Sequence, residues 1–267
     1  MNSEFEDLLV ENTGPIVTIT INRPHVRNAC RFKTTIELRD TIRQFQGHQS
    51  LRAIILTGSG DRAFSAGADL KELRTRDPSQ RDHELAVGFG EALRALESSR
   101  VPVIAAVRGF AVGGGTEIAM ACHLRVAGRS ARFGQPEILR GHIPGAGGTV
   151  RLPRLIGESR ALQYLLTGDE IPVETAERLG LVNWVVADDE VIPFAQELAT
   201  RIAGLSRLAV QLTLQAVRAG RDMPIEQALA FERVLCSRMR HDDDYREGLE
   251  AFVDKRAPKY NTGKSKA

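Results

Sequence analysis

The 267 residues carry Lys+Arg 36 against Asp+Glu 34, a net charge of +2, with 42% hydrophobic and 5% aromatic side chains. That composition excludes disorder and collagen-like architecture. It also argues against a nucleic-acid partner, which needs a strong positive field and aromatics for stacking. A chain this long buries roughly three quarters of its unfolded surface, so one large domain is stable without staples. Cys30, Cys122 and Cys236 are far apart and lack metal-ligand spacing, which fits a reducing compartment. The acidic start has no apolar signal-peptide core, and the longest apolar run, Val101 to Val107, is broken by Pro102 and too short for a bilayer. The expectation is a soluble, cytoplasmic protein with no membrane partner.

Along the chain, Ile16 to Ile21 alternates, with Val17, Ile19 and Ile21 on one face of a strand. Phe32 to Phe45 places Ile36, Leu38, Ile42 and Phe45 near helical spacing. Ala53 to Leu56 and Val103 to Val107 are continuously apolar, as strands covered on both sides should be. Between them, Glu84 to Glu97 reads as a helix through Leu85, Phe89, Leu93 and Leu96. Leu124 to Ala127 and Val182 to Val186 are further strands, so the body is α/β. From about Pro193 the strands stop. Phe194 to Ile202, Arg207 to Ala219, Ile225 to Arg240 and Asp244 to Val253 all read as helices.

Pro224 suits the first turn of the third of these, with Asp222 as its cap, and the acidic run after His241 caps the last. Residues 1–192 are thus expected as an α/β body and residues 193–267 as a helical region, with no linker between. The tail holds Gly-Lys-Ser, but Pro258 stands where a phosphate loop needs glycine. The last three residues, Ser-Lys-Ala, read as a solvated basic tail rather than a targeting signal.

Three segments between residues 64 and 154 carry chemistry. The first runs from Phe64 through Ser65-Ala66-Gly67-Ala68-Asp69-Leu70-Lys71, small residues turning into a helix with backbone N–H groups available to an oxyanion. In the second, a buried strand reaches Gly113-Gly114-Gly115 and a helix begins at Thr116-Glu117. Three glycines in a row cost conformational entropy, which suggests close approach of a ligand to a helix N-terminus. The bland alternative is that Glu117 merely complements the helix dipole. The third is Phe133-Gly134-Gln135-Pro136-Glu137, then Gly141 to Thr149. Glu137 among glycine, proline and apolar neighbours is expected to have a raised pKa. A solvated surface turn is the alternative there. Two carboxylates beside two potential N–H donors suggest acid–base work on a carbonyl compound.

These residues, with Asn22-Arg23-Pro24, Asn28-Ala29, Leu166-Thr167-Gly168 and the run through Arg154, resemble the enoyl-CoA hydratase/isomerase (crotonase) superfamily across nearly the whole chain. The resemblance implies a spiral of ββα turns with a C-terminal helical region that builds trimers, commonly paired as hexamers. It implies a coenzyme A thioester as substrate and no separate cofactor or metal. Ala68 and Gly114 match the two backbone donors of the family's oxyanion hole, and Glu117 and Glu137 its two catalytic glutamates. Ala66, Asp69, Leu70 and Lys71, with Arg27 and Ala29, fall where the coenzyme A is lined. Lys255 is placed against its phosphates from a neighbouring subunit. The implied reaction is syn hydration of a trans-2-enoyl-CoA in acyl-CoA or fatty-acid degradation.

Double-bond isomerisation, which runs with one carboxylate, is the main competitor, alongside a specialised dehydratase. An RNA-binding scaffold is a remote one. Thr116, Val150, Arg108 and Cys30-Arg31 depart from the common pattern. Of these, Cys30 reads as a small core residue.

Overall fold

Gly14, left-handed at φ 64°, turns Leu8–Thr13 (β1) back onto Ile16–Ile21 (β2) as an antiparallel hairpin in the computed structural model, which describes residues 5–260. The terminal Gly-Lys-Ser and Ser-Lys-Ala stretches lie outside the described residues. The sequence pattern exposes β2, whose Val17, Ile19 and Ile21 are buried as predicted, but not β1, of which only Leu8 is fully buried. Phe32–Gln46 (α1) leads to Ala53–Gly58 (β3), which runs parallel to β2 and is buried along its whole length.

A two-strand step then repeats. After β3 the chain crosses to a second sheet as Ala63–Ser65 (β4) and continues into Leu70–Arg74 (α2). Pro78–His83 (α3), a π-helical stretch Glu84–Gly90 and Glu91–Glu97 (α4) return it to the first sheet at Val103–Val107 (β5). Phe110–Val112 (β6) again joins the second sheet, followed by Gly114–Ala121 (α5). Leu124–Gly128 (β7), Arg132–Gly134 (β8), a 3-10 turn at Pro136–Arg140 and Gly148–Ile156 (α6) make the third round. This is the ββα spiral that the resemblance implied.

Glu158–Thr167 (α7), Glu170–Pro172 (β9), Val173–Arg178 (α8) and Trp184–Val186 (β10) complete the body. The sheets have strand orders β1-β2-β3-β5-β7-β10 and β4-β6-β8-β9, parallel except at the β1–β2 and β8–β9 pairs.

The first sheet is covered on both faces, which is why β3 and β5 show no alternation. Ile54, Leu56, Val103 and Ala105 face the main core with Leu38, Phe64, Leu93 and Phe133. Ala53, Ile55, Ile104 and Ala106 face Val191–Ala203 (α9) through Val191, Ala195 and Leu198. Arg207–Gly220 (α10), Ile225–Arg240 (α11) and Asp243–Val253 (α12) follow, within a residue of the expected bounds. Asp242 caps α12 as expected, but Pro224 occupies the N-cap of α11 and Asp222 pairs instead with Arg154 at 3.2 Å. These last helices leave Val217, Ile225, Val234, Phe252 and Val253 well exposed. Among the described residues no helix is long and apolar enough to cross a membrane.

One expected helix is built differently. Glu84 to Glu97 is a π-helical stretch running into α4. Gly88 lies so close to α1 that a Cβ there would stand 2.5 Å from Thr35 Oγ1, which is why only glycine fits in this turn. Such π-turns recur at functional sites. Here it delivers Phe89 against Gly114 and Leu85 against Gly145.

Candidate active site

The first wall of the site is two strips of backbone laid side by side. Asn28, in the left-handed region at φ 55°, anchors one strip by donating to the carbonyls of Ser59 at 2.9 Å and Ala63 at 2.7 Å. Ala66 N–H donates to Arg27 O at 2.9 Å, Cys30 N–H to Gly67 O at 2.7 Å and Asp69 N–H to Cys30 O at 2.9 Å. Arg27 and Ala29 therefore lie beside Ala66, Ala68 and Asp69.

Asp69 is committed to the fold. Its carboxylate caps α2 through the N–H groups of Lys71 and Glu72 and pairs with Arg23 at 3.0 Å. Leu70 and Lys71 are left exposed at the mouth. Cys30 is buried, and burial pushes its thiol up to about 11, consistent with an inert core residue. Arg31 is held by Asp7 at 2.8 Å and by Glu6.

The triple glycine meets this wall backbone to backbone. Gly113 has φ 55° and ψ −126°, and its N–H donates to Gly134 O at 2.9 Å. A Cβ on Gly67, itself at φ 84°, would lie 2.7 Å from Val112 O and 2.9 Å from Gly114 N. A Cβ on Gly115 would lie 2.1 Å from Ser65 O. No side chain fits between the two strips, which accounts for the glycines physically. The Thr116 hydroxyl reaches the carbonyls of Ala111 and Gly134 and accepts from Gly134 N–H at 3.2 Å, fixing the start of α5 to β6 and β8. Among the described hydrogen bonds, neither the Ala68 N–H nor the Gly114 N–H, at the first residue of α5, donates to anything.

The two glutamates flank this helix start. Glu117 is 3% exposed, so it is no surface complement to the dipole. Its Oε1 accepts from Ala146 N–H at 2.9 Å and Gly148 N–H at 2.7 Å. Burial pushes its pKa up to about 7, opposed by the Gly148 N–H and reinforced by the charge of Glu137. Glu137 sits half-buried in the 3-10 turn, its pKa also raised by burial. Its Oε1 lies over Gly113, where a Cβ would come within 2.8 Å, and its buried Oε2 has no hydrogen-bond partner among the described residues.

Lys255 stands exposed after α12, left-handed at φ 53°, and none of its described hydrogen bonds or ion pairs reaches this wall within the chain. Sequence reasoning missed Phe89, and also Gln135, which is fully buried beside Gly148 with both side-chain polar atoms unpaired among the described residues. Both lie inside segments the sequence did flag. Only the packing shows them turned inward.

Paired carboxylates of raised pKa, beside backbone N–H groups at Ala68 and Gly114 that donate to nothing among the described residues, are the groups that acid–base chemistry on a substrate developing negative charge on oxygen requires. The pattern of the enoyl-CoA hydratase/isomerase family matches residues 11–263, and the chain belongs to that family.

It is 39% identical over 253 residues to the short-chain-enoyl-CoA hydratase of Clostridium acetobutylicum, covering 95% of this chain and 97% of that one. To the crotonyl-CoA hydratase of Syntrophomonas wolfei it is 38% identical over 94% of this chain and 96% of the other. The crystal structure of an enoyl-CoA hydratase from Bacillus anthracis superposes with a TM-score of 0.93 at 37% identity, covering 96% of this chain and all of that one.

Proposed function

We propose that the chain reversibly adds water across the 2,3-double bond of a trans-2-enoyl-CoA to give the 3-hydroxyacyl-CoA. The carrying observation is that both carboxylates, Glu117 and Glu137, flank the start of α5, where the N–H groups of Gly114 and of Ala68 on the adjoining strip donate to nothing among the described residues. With Oε1 of Glu117 pinned by two N–H groups, Oε2 is left to hold and deprotonate the water. Attack at C3 drives charge onto the thioester oxygen, where Ala68 and Gly114 stabilise it. Glu137, whose raised pKa favours the protonated form, delivers its carboxyl proton to C2 and is left as the carboxylate. Dehydration exchanges the roles.

Proton transfer and charge stabilisation are all the reaction asks for, so coenzyme A enters as part of the substrate and no separate cofactor or metal is invoked. An isomerase needs only one of these carboxylates. The buried, doubly bonded Glu117 favours hydration.

In this reading the coenzyme A runs along Ala66, Asp69, Leu70 and Lys71 with Arg27 and Ala29, the backbone of the strip doing what the committed Asp69 side chain does not. Lys255 reaches the phosphates of a neighbouring subunit's substrate. The region from residue 193 onward serves assembly into a trimer or a dimer of trimers, supported by the apolar side chains exposed on α10 to α12. Three unpaired cysteines suit work in the cytoplasm.

The test is loss of the conjugated-thioester absorbance on mixing purified protein with crotonyl-CoA and longer 2-enoyl-CoAs. Hydration is expected. Failure with every chain length, or full conversion of a 3-enoyl to a 2-enoyl-CoA by Glu117→Gln, would replace the reading.

A further inference from the structure

The N–H groups that hold Glu117 belong to a segment with little regular structure of its own, residues 141 to 147, and something must fix their aim. Gly147, at φ 103° and ψ 14°, lies between the two donors and turns the chain so that the N–H groups of Ala146 and Gly148 converge on one oxygen. Alternating backbone of this kind makes a small anion nest. Here the anion is the carboxylate of Glu117, and Gly148 is also the first residue of α6, whose N-terminus favours negative charge.

Below the nest lies Arg151. Its Nη1 donates to Ala146 O at 2.5 Å, the carbonyl of the peptide between the two donating peptides. Its Nε and Nη2 form a two-pronged pair with Glu97 at 2.8 and 3.0 Å, tying the turn to the end of α4. Arg151 N–H closes the first turn of α6 onto Gly147 O at 2.8 Å. The fit is tight enough that a Cβ on Gly147 would stand 2.1 Å from Nη1. A planar guanidinium with donors in a fixed fork suits this three-way grip, and a lysine ammonium does not.

Resting on the hydratase reading above, we infer that Arg151, braced by Glu97, is a positioning residue that fixes the backbone nest holding Glu117. It touches neither substrate nor reacting atoms. It acts through the peptide it grips and through its charge. The charged groups facing Glu117 are Glu137 from the 3-10 turn, which raises its pKa, and Arg151 from α6, which lowers it. On α4, Glu91 is engaged by Arg39 and Arg43, Arg94 bonds the Gly90 carbonyl, and Glu97 faces Arg151. Glu117 is the only ionisable residue of α5.

The experiment is the pH dependence of kcat and kcat/KM for crotonyl-CoA hydration by Arg151→Gln, Arg151→Lys and Glu97→Gln, with melting temperature measured in parallel. Arg151→Gln is expected to lower kcat by roughly 10- to 100-fold, the scale of a ~1 Å misplacement. It leaves KM within about threefold and moves the acid limb upward by about one pH unit, because a favourable charge near the carboxylate is gone. Arg151→Lys restores the limb but only part of kcat. Glu97→Gln, with the charge kept and the grip loosened, lowers kcat with a smaller limb shift and serves if Arg151→Gln does not fold.

A melting temperature that falls in Arg151→Gln while kcat and the acid limb stay at wild-type values would overturn the inference. So would a loss confined to KM. A wild-type protein that hydrates no enoyl-CoA would instead overturn the underlying reading, a different outcome.

Discussion

Glu117 and Glu137 share a residue type and, in the proposed reaction, a substrate, yet the fold treats them oppositely. Glu117 is on a regular helix, fully buried, with one oxygen fixed by two N–H groups. Glu137 is on a 3-10 turn, half-buried, with one oxygen buried and unpaired, and exposed residues such as Arg140 and His142 follow it. A carboxylate pinned on one side presents the other oxygen in a fixed direction, which suits holding a water. A carboxyl group whose pKa is raised by burial, with an oxygen left free of protein donors among the described residues, holds a proton more readily, which suits delivering one. Two acid–base roles arise from two environments, and the side chain alone specifies neither.

The strongest way to break this comparison is to neutralise each carboxylate. Glu117→Gln and Glu137→Gln are each expected to lower kcat for crotonyl-CoA by roughly 10²- to 10⁴-fold, the range for a lost general acid or base. If either variant keeps more than a tenth of wild-type kcat, that carboxylate has no part in the chemistry. Next in size is Gly67→Ala, whose Cβ would wedge against Gly114 N and Val112 O and spread the two N–H donors. A loss of roughly 10²–10³ in kcat is expected, comparable to deletion of an oxyanion donor. Gly60→Ala is its control, since Gly60 is also left-handed at φ 79° but has nothing within 4 Å. It should lower the melting temperature slightly and leave kcat alone. Equal kcat losses in both would mean that strain, not donor geometry, matters.

A smaller effect separates the two glutamates by stability. The folded pKa of Glu117 is raised from the ordinary 4.5 to about 7. Its contribution is therefore most favourable below pH 4.5, and stability is lost as pH rises through about 7, where a charge must be carried inside the protein. The cost at pH 8 is on the order of 3 kcal/mol, at about 1.4 kcal/mol per pKa unit. Glu117→Gln should melt a few degrees higher than wild type at pH 8 and show no gain at pH 4.5, a trade of activity against stability. Glu137→Gln, starting from a less buried group, should show a smaller gain. Scanning calorimetry at the two pH values checks both, and an equal gain at pH 4.5 would contradict the titration account.

Much of this was legible in the sequence. The buried strands Ala53 to Leu56 and Val103 to Val107, the C-terminal helices and the grouping of glycines around two glutamates all follow from periodicity and composition. β1 was not, because a mostly exposed edge strand carries no apolar signal, nor were the three-residue strands of the second sheet, too short to show a period. The π-turn at Glu84–Gly90 carries the same apolar spacing as a regular helix, and the close approach of Thr35 and Phe32 to Gly88 is a contact across the core that no local pattern shows. The pair of Arg151 with Glu97 is likewise a contact between elements, fifty-four residues apart in sequence.

In the proposed reaction Glu117 and Glu137 act as one unit on a single water and a single enoyl thioester. The most direct measurement is a double-mutant cycle of kcat for crotonyl-CoA hydration through Glu117→Gln, Glu137→Gln and the double variant. If the pair works as a unit, the double variant falls no more than about tenfold below the weaker single variant, because the first substitution has already removed the joint function. Losses that multiply would mean that the two carboxylates act independently, and the account given for this site would be wrong.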